Sequence, residues 1–132
     1  MAPTIAQLLG TELPLIQAPM AGAQGSAMAI AVSNAGALGS LPCAMLSPDA
    51  IRAELEAIRN AVGGKPYNVN FFCHHSPVPD AQREAAWRKA LAPYYAEFGI
   101  DPAGIAAGAG RTPFSDAAGG VLGTFRPPVG GF

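Results

Sequence analysis

The sequence predicts an α/β fold in which parallel strands alternate with helices. Two observations predict it. Short apolar runs closed by turn residues, at residues 13–18, 37–41 and 67–72, have the length and composition of buried strands. Between them lie segments of helical period, the clearest running from Pro48 to Val62. Such alternation means a parallel sheet with helices outside it, and it places ligands at the carboxyl ends of the strands.

Composition narrows the class. The 132 residues suffice for one domain of ordinary size. Half are apolar and only 13% charged, which argues against a disordered chain and predicts that much of the surface is covered. The net charge is −1 with no basic run, so nucleic acid and anionic membrane are not expected partners. No apolar run approaches the ~18–20 residues of a membrane span. The N-terminus lacks a positive segment followed by an apolar core, so no secretory signal is expected. Cys43 and Cys73 make no disulfide framework and read as free thiols. The expectation is a cytoplasmic soluble protein.

Taken in order, Thr4 caps a turn over residues 5–9 that Gly10 ends. Leu13 to Ala18 reads as a fully buried first strand, stopping at the Pro19-Met20-Ala21-Gly22 corner. An alanine-rich helix follows, with Ser26 as its N-cap and Gly36 as its stop. Residues 37–41 form the second strand, whose internal Gly39 signals close approach of another backbone or a ligand.

Ser47 caps the next helix, Pro48 sits at its first position, and Asp49 complements its dipole. Ile51, Leu55, Ile58 and Val62 form its apolar stripe, and Gly63-Gly64 ends it. Tyr67 to Phe72 is the third strand. Asp80 caps a helix with an aromatic face of Trp87, Tyr94, Tyr95 and Phe98, which Pro93 should kink or split. A loop then runs through Gly108-Ala109-Gly110. After a Ser115 cap, Asp116 to Phe125 reads as a weak helix, since each of Gly119, Gly120 and Gly123 costs about 1 kcal/mol against alanine. Pro127-Pro128-Val129 starts a fourth strand. Three or four strands cannot close an eight-stranded barrel, so the pattern is either a small open sheet or the first part of a longer barrel.

Three stretches together carry a resemblance. They are Pro14-Leu15-Ile16-Gln17-Ala18-Pro19-Met20-Ala21-Gly22, then Ala31-Val32-Ser33-Asn34-Ala35-Gly36-Ala37-Leu38-Gly39-Ser40, then Lys65-Pro66-Tyr67-Asn68-Val69-Asn70-Phe71-Phe72. In order and spacing they resemble the nitronate monooxygenase family, formerly the 2-nitropropane dioxygenases. Flavin-dependent enoyl reductases share a looser version of the pattern. The resemblance implies the N-terminal portion of a TIM (β/α)8 barrel, about three to four βα units, truncated or frame-shifted. On this reading residues 1–129 are a partial FMN-dependent domain, and residues 116–132 a glycine-rich, poorly ordered tail.

The resemblance also implies the chemistry. The cofactor is FMN, and the activity is oxidation of alkyl nitronates with O₂ to a carbonyl compound and nitrite. The family's catalytic histidine and phosphate-binding loops lie beyond the matching stretches, so no catalytic residue is assigned here. By pattern alone, Ala18, Pro19, Met20 and Ala21 are a strand-to-loop turn with a core methionine. The resemblance makes them a corner packed against the flavin ring, where a soft thioether suits a planar face. Asn70 ends a buried strand, and its amide can donate and accept at once. By pattern it is satisfied by neighbouring backbone; the family's matching asparagine is a flavin ligand, and that role passes to Asn70.

Cys73-His74-His75 does not read as a metal site, because adjacent ligands on an extended chain point to opposite faces. Two alternatives remain open. One is a catalytically inactive remnant that self-associates through unpaired sheet edges and bare apolar faces. The other is an enoyl-reductase-like flavoenzyme.

Overall fold

A computed structural model describes residues 2–105 and 113–131. The loop expected through Gly110 therefore lies outside the described residues. The chain divides into two compact units, residues 1–74 with 111–132, and residues 75–110.

The first unit is organised around a parallel sheet of β1 (Gly39–Pro42), β2 (Tyr67–Asn70) and β3 (Val129–Gly131), in that order. Ser40 lies opposite Asn68 and Pro42 opposite Asn70, while Asn70 lies opposite Gly131. The sheet is parallel with crossover helices, as the alternation requires. Thr4 and Gln7 close a capping box over α1 (Ile5–Leu9), and Gly10 ends it at φ 69°.

The first expected strand is corrected. Residues 13–18 contribute only an isolated bridge, Ile16 to Leu38, beside β1. Nor is the segment fully buried: Leu13, Leu15 and Ile16 are about half exposed. Two physical reasons apply. Pro14 and Pro19 have no N–H to continue a ladder. The segment also flanks the sheet beyond β1, and no strand among the described residues pairs with its other side.

Helix α2 (Ser26–Asn34) packs on β1. Its N-cap is Gly25 rather than Ser26, and Gly25 offers no side-chain acceptor. The carboxylate of Glu54 supplies one instead, accepting from the Ser26 N–H at 2.7 Å. Gly39 meets the close approach its position foretold. A Cβ there would lie 2.0 Å from the Ala29 carbonyl oxygen. Ser33, buried in the same helix, accepts from the Gly39 N–H at 3.2 Å and donates to the Pro66 carbonyl at 2.9 Å.

Helix α3 (Pro48–Ala61) forms as expected, with the Ser47 hydroxyl accepting from the Ala50 N–H. Ile51, Leu55, Ile58 and Val62 pack with Leu41, Val69 and Phe71 of the sheet side. Helix α5 (Asp116–Phe125) completes this layer by burying Ala118 and Val121. Its Ser115 cap and that apolar contact hold a segment whose glycines disfavour a helix.

In the second unit Asp80 caps α4 (Ala81–Glu97) by accepting from the N–H groups of Gln82 and Arg83. Pro93 does not split it. It lies near the carboxyl end, where it removes one donor from a helix already carried by the preceding turns. Trp87, Tyr94 and Phe98 are all more than half exposed. No helix among the described residues is long and apolar enough to cross a membrane.

Candidate functional site

Alternation along β2 sends Tyr67 and Val69 to the helix-covered face, where Phe71 follows them. Asn68 and Asn70 point to the other face. That face is polar. The Asn68 amide donates to the Ser40 hydroxyl at 3.1 Å, and both residues are buried. Asn68 Oδ1 is left buried without a partner. Asn70, half-buried, donates from Nδ2 to the Gly131 carbonyl at a long 3.4 Å. Gly131 keeps this end of the face open. A Cβ there would come within 3.3 Å of Asn70 Nδ2 and 3.4 Å of Asn68 Oδ1.

The Ala18–Ala21 corner lies at the same, carboxyl end of the sheet, one strand beyond β1. The Gln17 N–H donates to the Leu38 carbonyl at 2.9 Å, and a turn closes from the Ala23 N–H to the Met20 carbonyl at 3.1 Å. Ala18 and Met20 are exposed, whereas Pro19 and Ala21 are half-buried. Gly22 turns the chain at φ 81°, beside the Met45 sulfur. The five sequence-predicted residues thus share one end of one sheet, with β1 between the corner and Asn70.

Three amides around Ser40 escaped sequence reasoning: Gln17 and Gln24 at the sheet's edge, and Asn68 on this face. The Gln17 side chain accepts from the Ser40 N–H at 3.1 Å and donates to the Ser40 carbonyl at 3.3 Å. Gln24 Nε2 donates to both the Ala18 carbonyl, at 3.2 Å, and the Ser40 carbonyl, at 3.3 Å. One available signal was the spacing of Asn68 and Asn70, which two residues apart on a strand must share a face. The glutamines gave no such signal.

Cys43 lies just past β1 and is buried against the core. Desolvation pushes its thiol up to about 12; the Glu54 carboxylate adds to the rise and a backbone hydrogen bond at Asn70 opposes it. It is an inert structural thiol, whereas Cys73 is exposed. His74 is also exposed, tilted against the Phe72 ring at 6.1 Å. Among the described residues no three His, Cys, Asp or Glu side chains gather as metal ligands.

The nitronate monooxygenase family profile matches residues 2–103. This chain belongs to the nitronate monooxygenase family. It is 46% identical over 96 residues to a nitronate monooxygenase of Pseudomonas aeruginosa, covering 73% of this chain and 27% of that protein. To the nitronate monooxygenase of Paraburkholderia phytofirmans it is 44% identical over 95 residues, covering 72% and 26%. Among solved structures, the nitroalkane oxidase of Streptomyces ansochromogenes superposes with a TM-score of 0.61 at 33% identity. That match covers 85% of this chain and 31% of the oxidase. FabK of Thermotoga maritima gives a TM-score of 0.50 at 29% identity, over 76% of this chain and 29% of FabK. The matched region thus spans about a quarter of the length of these nitronate monooxygenases.

Proposed function

We propose that this chain supplies the opening βα units of a TIM-barrel flavoenzyme that uses FMN and O₂ to oxidise alkyl nitronates to a carbonyl compound and nitrite. The observation that carries the reading is the polar carboxyl end of the sheet. There Asn70 lies opposite Gly131, which leaves room beside the amide, and the Ala18–Ala21 corner lies at the same end of a sheet whose other face is an apolar core.

The residues fit the ring of FMN. A flavin edge alternates donors and acceptors, and carboxamides answer both. Asn70 Nδ2 is held only by a 3.4 Å bond, so it can turn to a ring-edge carbonyl at small cost. Buried Asn68 Oδ1 is an unmet acceptor behind it. Met20, about half exposed, offers a polarisable contact to a ring face. The phosphate is a different matter. The N-terminus of α2, which follows the corner, is occupied by the Glu54 carboxylate and would repel it. These residues therefore account for holding the ring, and not for the phosphate.

When bound, FMN supplies the redox chemistry. The chain's own part is to orient the ring edge through Asn70 and to close one side of it with the corner. A nitronate is already deprotonated, so its binding asks no base of these residues. Purified chain titrated with FMN should take up flavin and release nitrite from an alkyl nitronate. A colourless protein that forms no nitrite overturns the reading for this chain.

A second reading, a catalytically silent chain that self-associates, is favoured by Leu13, Leu15 and Ile16, which stand about half exposed along the sheet flank. Sedimentation reporting a stable monomer with a cooperative melt counts against it.

A further inference from the structure

We infer that Gln17 and Gln24 are positioning residues that clamp the Ala18–Ala21 corner to a single residue's backbone, the N–H and carbonyl of Ser40. The inference rests on the flavin-facing reading of the corner. The geometry is specific. Backbone pairing between residues 13–18 and β1 is confined to the Ile16–Leu38 bridge, with Leu38 donating to Leu15 and Gln17 donating to Leu38. Beyond it the backbone ladder stops. The Gln17 carboxamide then replaces the missing strand residue, presenting one acceptor and one donor to Ser40 as a peptide would. Pro19 explains the substitution, since its ring nitrogen carries no N–H to pair.

Gln24 works from the other side of the corner. Its two Nε2 hydrogens serve the carbonyls of Ala18 and Ser40, and so tie the start of the corner to β1. This assignment fixes the amide orientation, because a reversed amide would set its oxygen against two carbonyl oxygens. Gln24 Oε1 is left buried and unpaired. A buried acceptor without a partner opposes folding, so the arrangement is not explained by packing alone. The return is a corner held at both ends: Gln17 fixes residue 17, and Gln24 joins residue 18 to the far side of the 20–23 turn. Ser40 is completely buried, so the anchor itself does not move with solvent.

The test uses Gln17→Met, Gln24→Met and Gln24→Glu in the whole chain. The methionines keep the volume and remove the amide, while Gln24→Glu keeps the shape and removes the donors. Each glutamine makes two hydrogen bonds to the anchor or corner. FMN affinity, followed by quenching of flavin fluorescence at a temperature where every variant is still fully folded, should therefore fall about tenfold in each variant. Hydrogen exchange of the flavin-free chain gives an independent readout. The Ser40 amide should lose protection in Gln17→Met, and the Ala23 amide in both Gln24 variants.

Flavin affinity and exchange both unchanged would overturn the clamp. Affinity that falls only where a variant is partly unfolded, and is unaltered where it is fully folded, would overturn the positioning role and leave plain structural support. If the unaltered chain binds no FMN, the flavin-facing reading fails. The exchange arm then decides the clamp by itself.

Discussion

On one face of the sheet, Leu41, Val69 and Phe71 meet Ile51, Leu55, Ile58 and Val121, all with 4% exposure or less. On the other, Ser40 and Asn68 hydrogen-bond to each other beside Asn70, with two unmet amide oxygens, Asn68 Oδ1 and Gln24 Oε1, nearby in the same network. The first face is saturated by contacts within the chain. The second carries buried polarity that the described residues do not fully satisfy. Buried polar groups are ordinarily paired, and a half-satisfied network costs stability that an apolar face would not. The difference teaches how the sheet divides its work: one face supplies folding energy, and the other gives some of it up to hold amides in place, which is why the proposed site is put there.

The largest effect belongs to the apolar face. Leu55→Ala empties a site with no exposure and should cost about 3 kcal/mol, read from urea unfolding. A loss under ~1 kcal/mol would mean that this face does not carry the fold. Next comes the seam between α2 and β1. Gly39→Ala would place a methyl against the Ala29 carbonyl and should cost about 2 kcal/mol, since backbone must shift to admit it.

A pH effect follows from Cys43, which belongs to the same core. Its folded thiol stays protonated up to about 12, whereas an unfolded thiol ionises near 8.5. Ionisation therefore favours the unfolded chain over the intervening range. The contribution is fully present below about pH 8.5 and is lost as pH rises towards 12. Tyr67, also raised by burial, adds in the same direction. Stability should fall by about 2 kcal/mol between pH 8.5 and 10, and Cys43→Ala should remove most of that slope. A thiol reagent at neutral pH should modify Cys73 quickly and Cys43 only on unfolding.

The smallest stability effect should lie on the polar face. Asn68→Leu replaces a half-satisfied amide with an apolar side chain of similar size, and should change stability by less than about 1 kcal/mol in either direction. A loss as large as that of Leu55→Ala would erase the contrast between the faces.

Much of the apolar face was legible in the sequence. The Ser47-Pro48-Asp49 start and the stripe from Ile51 to Val62 state a helix and its buried side in local terms, and local terms decide such elements. Gly39 was readable for the same reason, because a glycine inside a strand signals close approach. The family resemblance was legible too, and the profile match and the relatives bear it out. The first strand was misread. An apolar run looks alike whether it is central or flanks a sheet, and its pairing depends on partners far along the chain. The glutamine contacts were hidden for a related reason. Gln17 and Gln24 meet Ser40 from 23 and 16 residues away, a meeting that no local pattern encodes. Asn70 stood out only through the resemblance, and Asn68 did not stand out at all, although its parity with Asn70 was readable.

The central claim is that the polar face exists to hold a flavin ring. Titration of FMN into the purified chain and into Asn70→Leu, with thermal melts on the same samples, tests it most directly. The expected result is saturable uptake by the unaltered chain, affinity at least about tenfold weaker in Asn70→Leu, and melting temperatures that agree closely. Equal affinity in the two proteins, or no uptake by either, would contradict it.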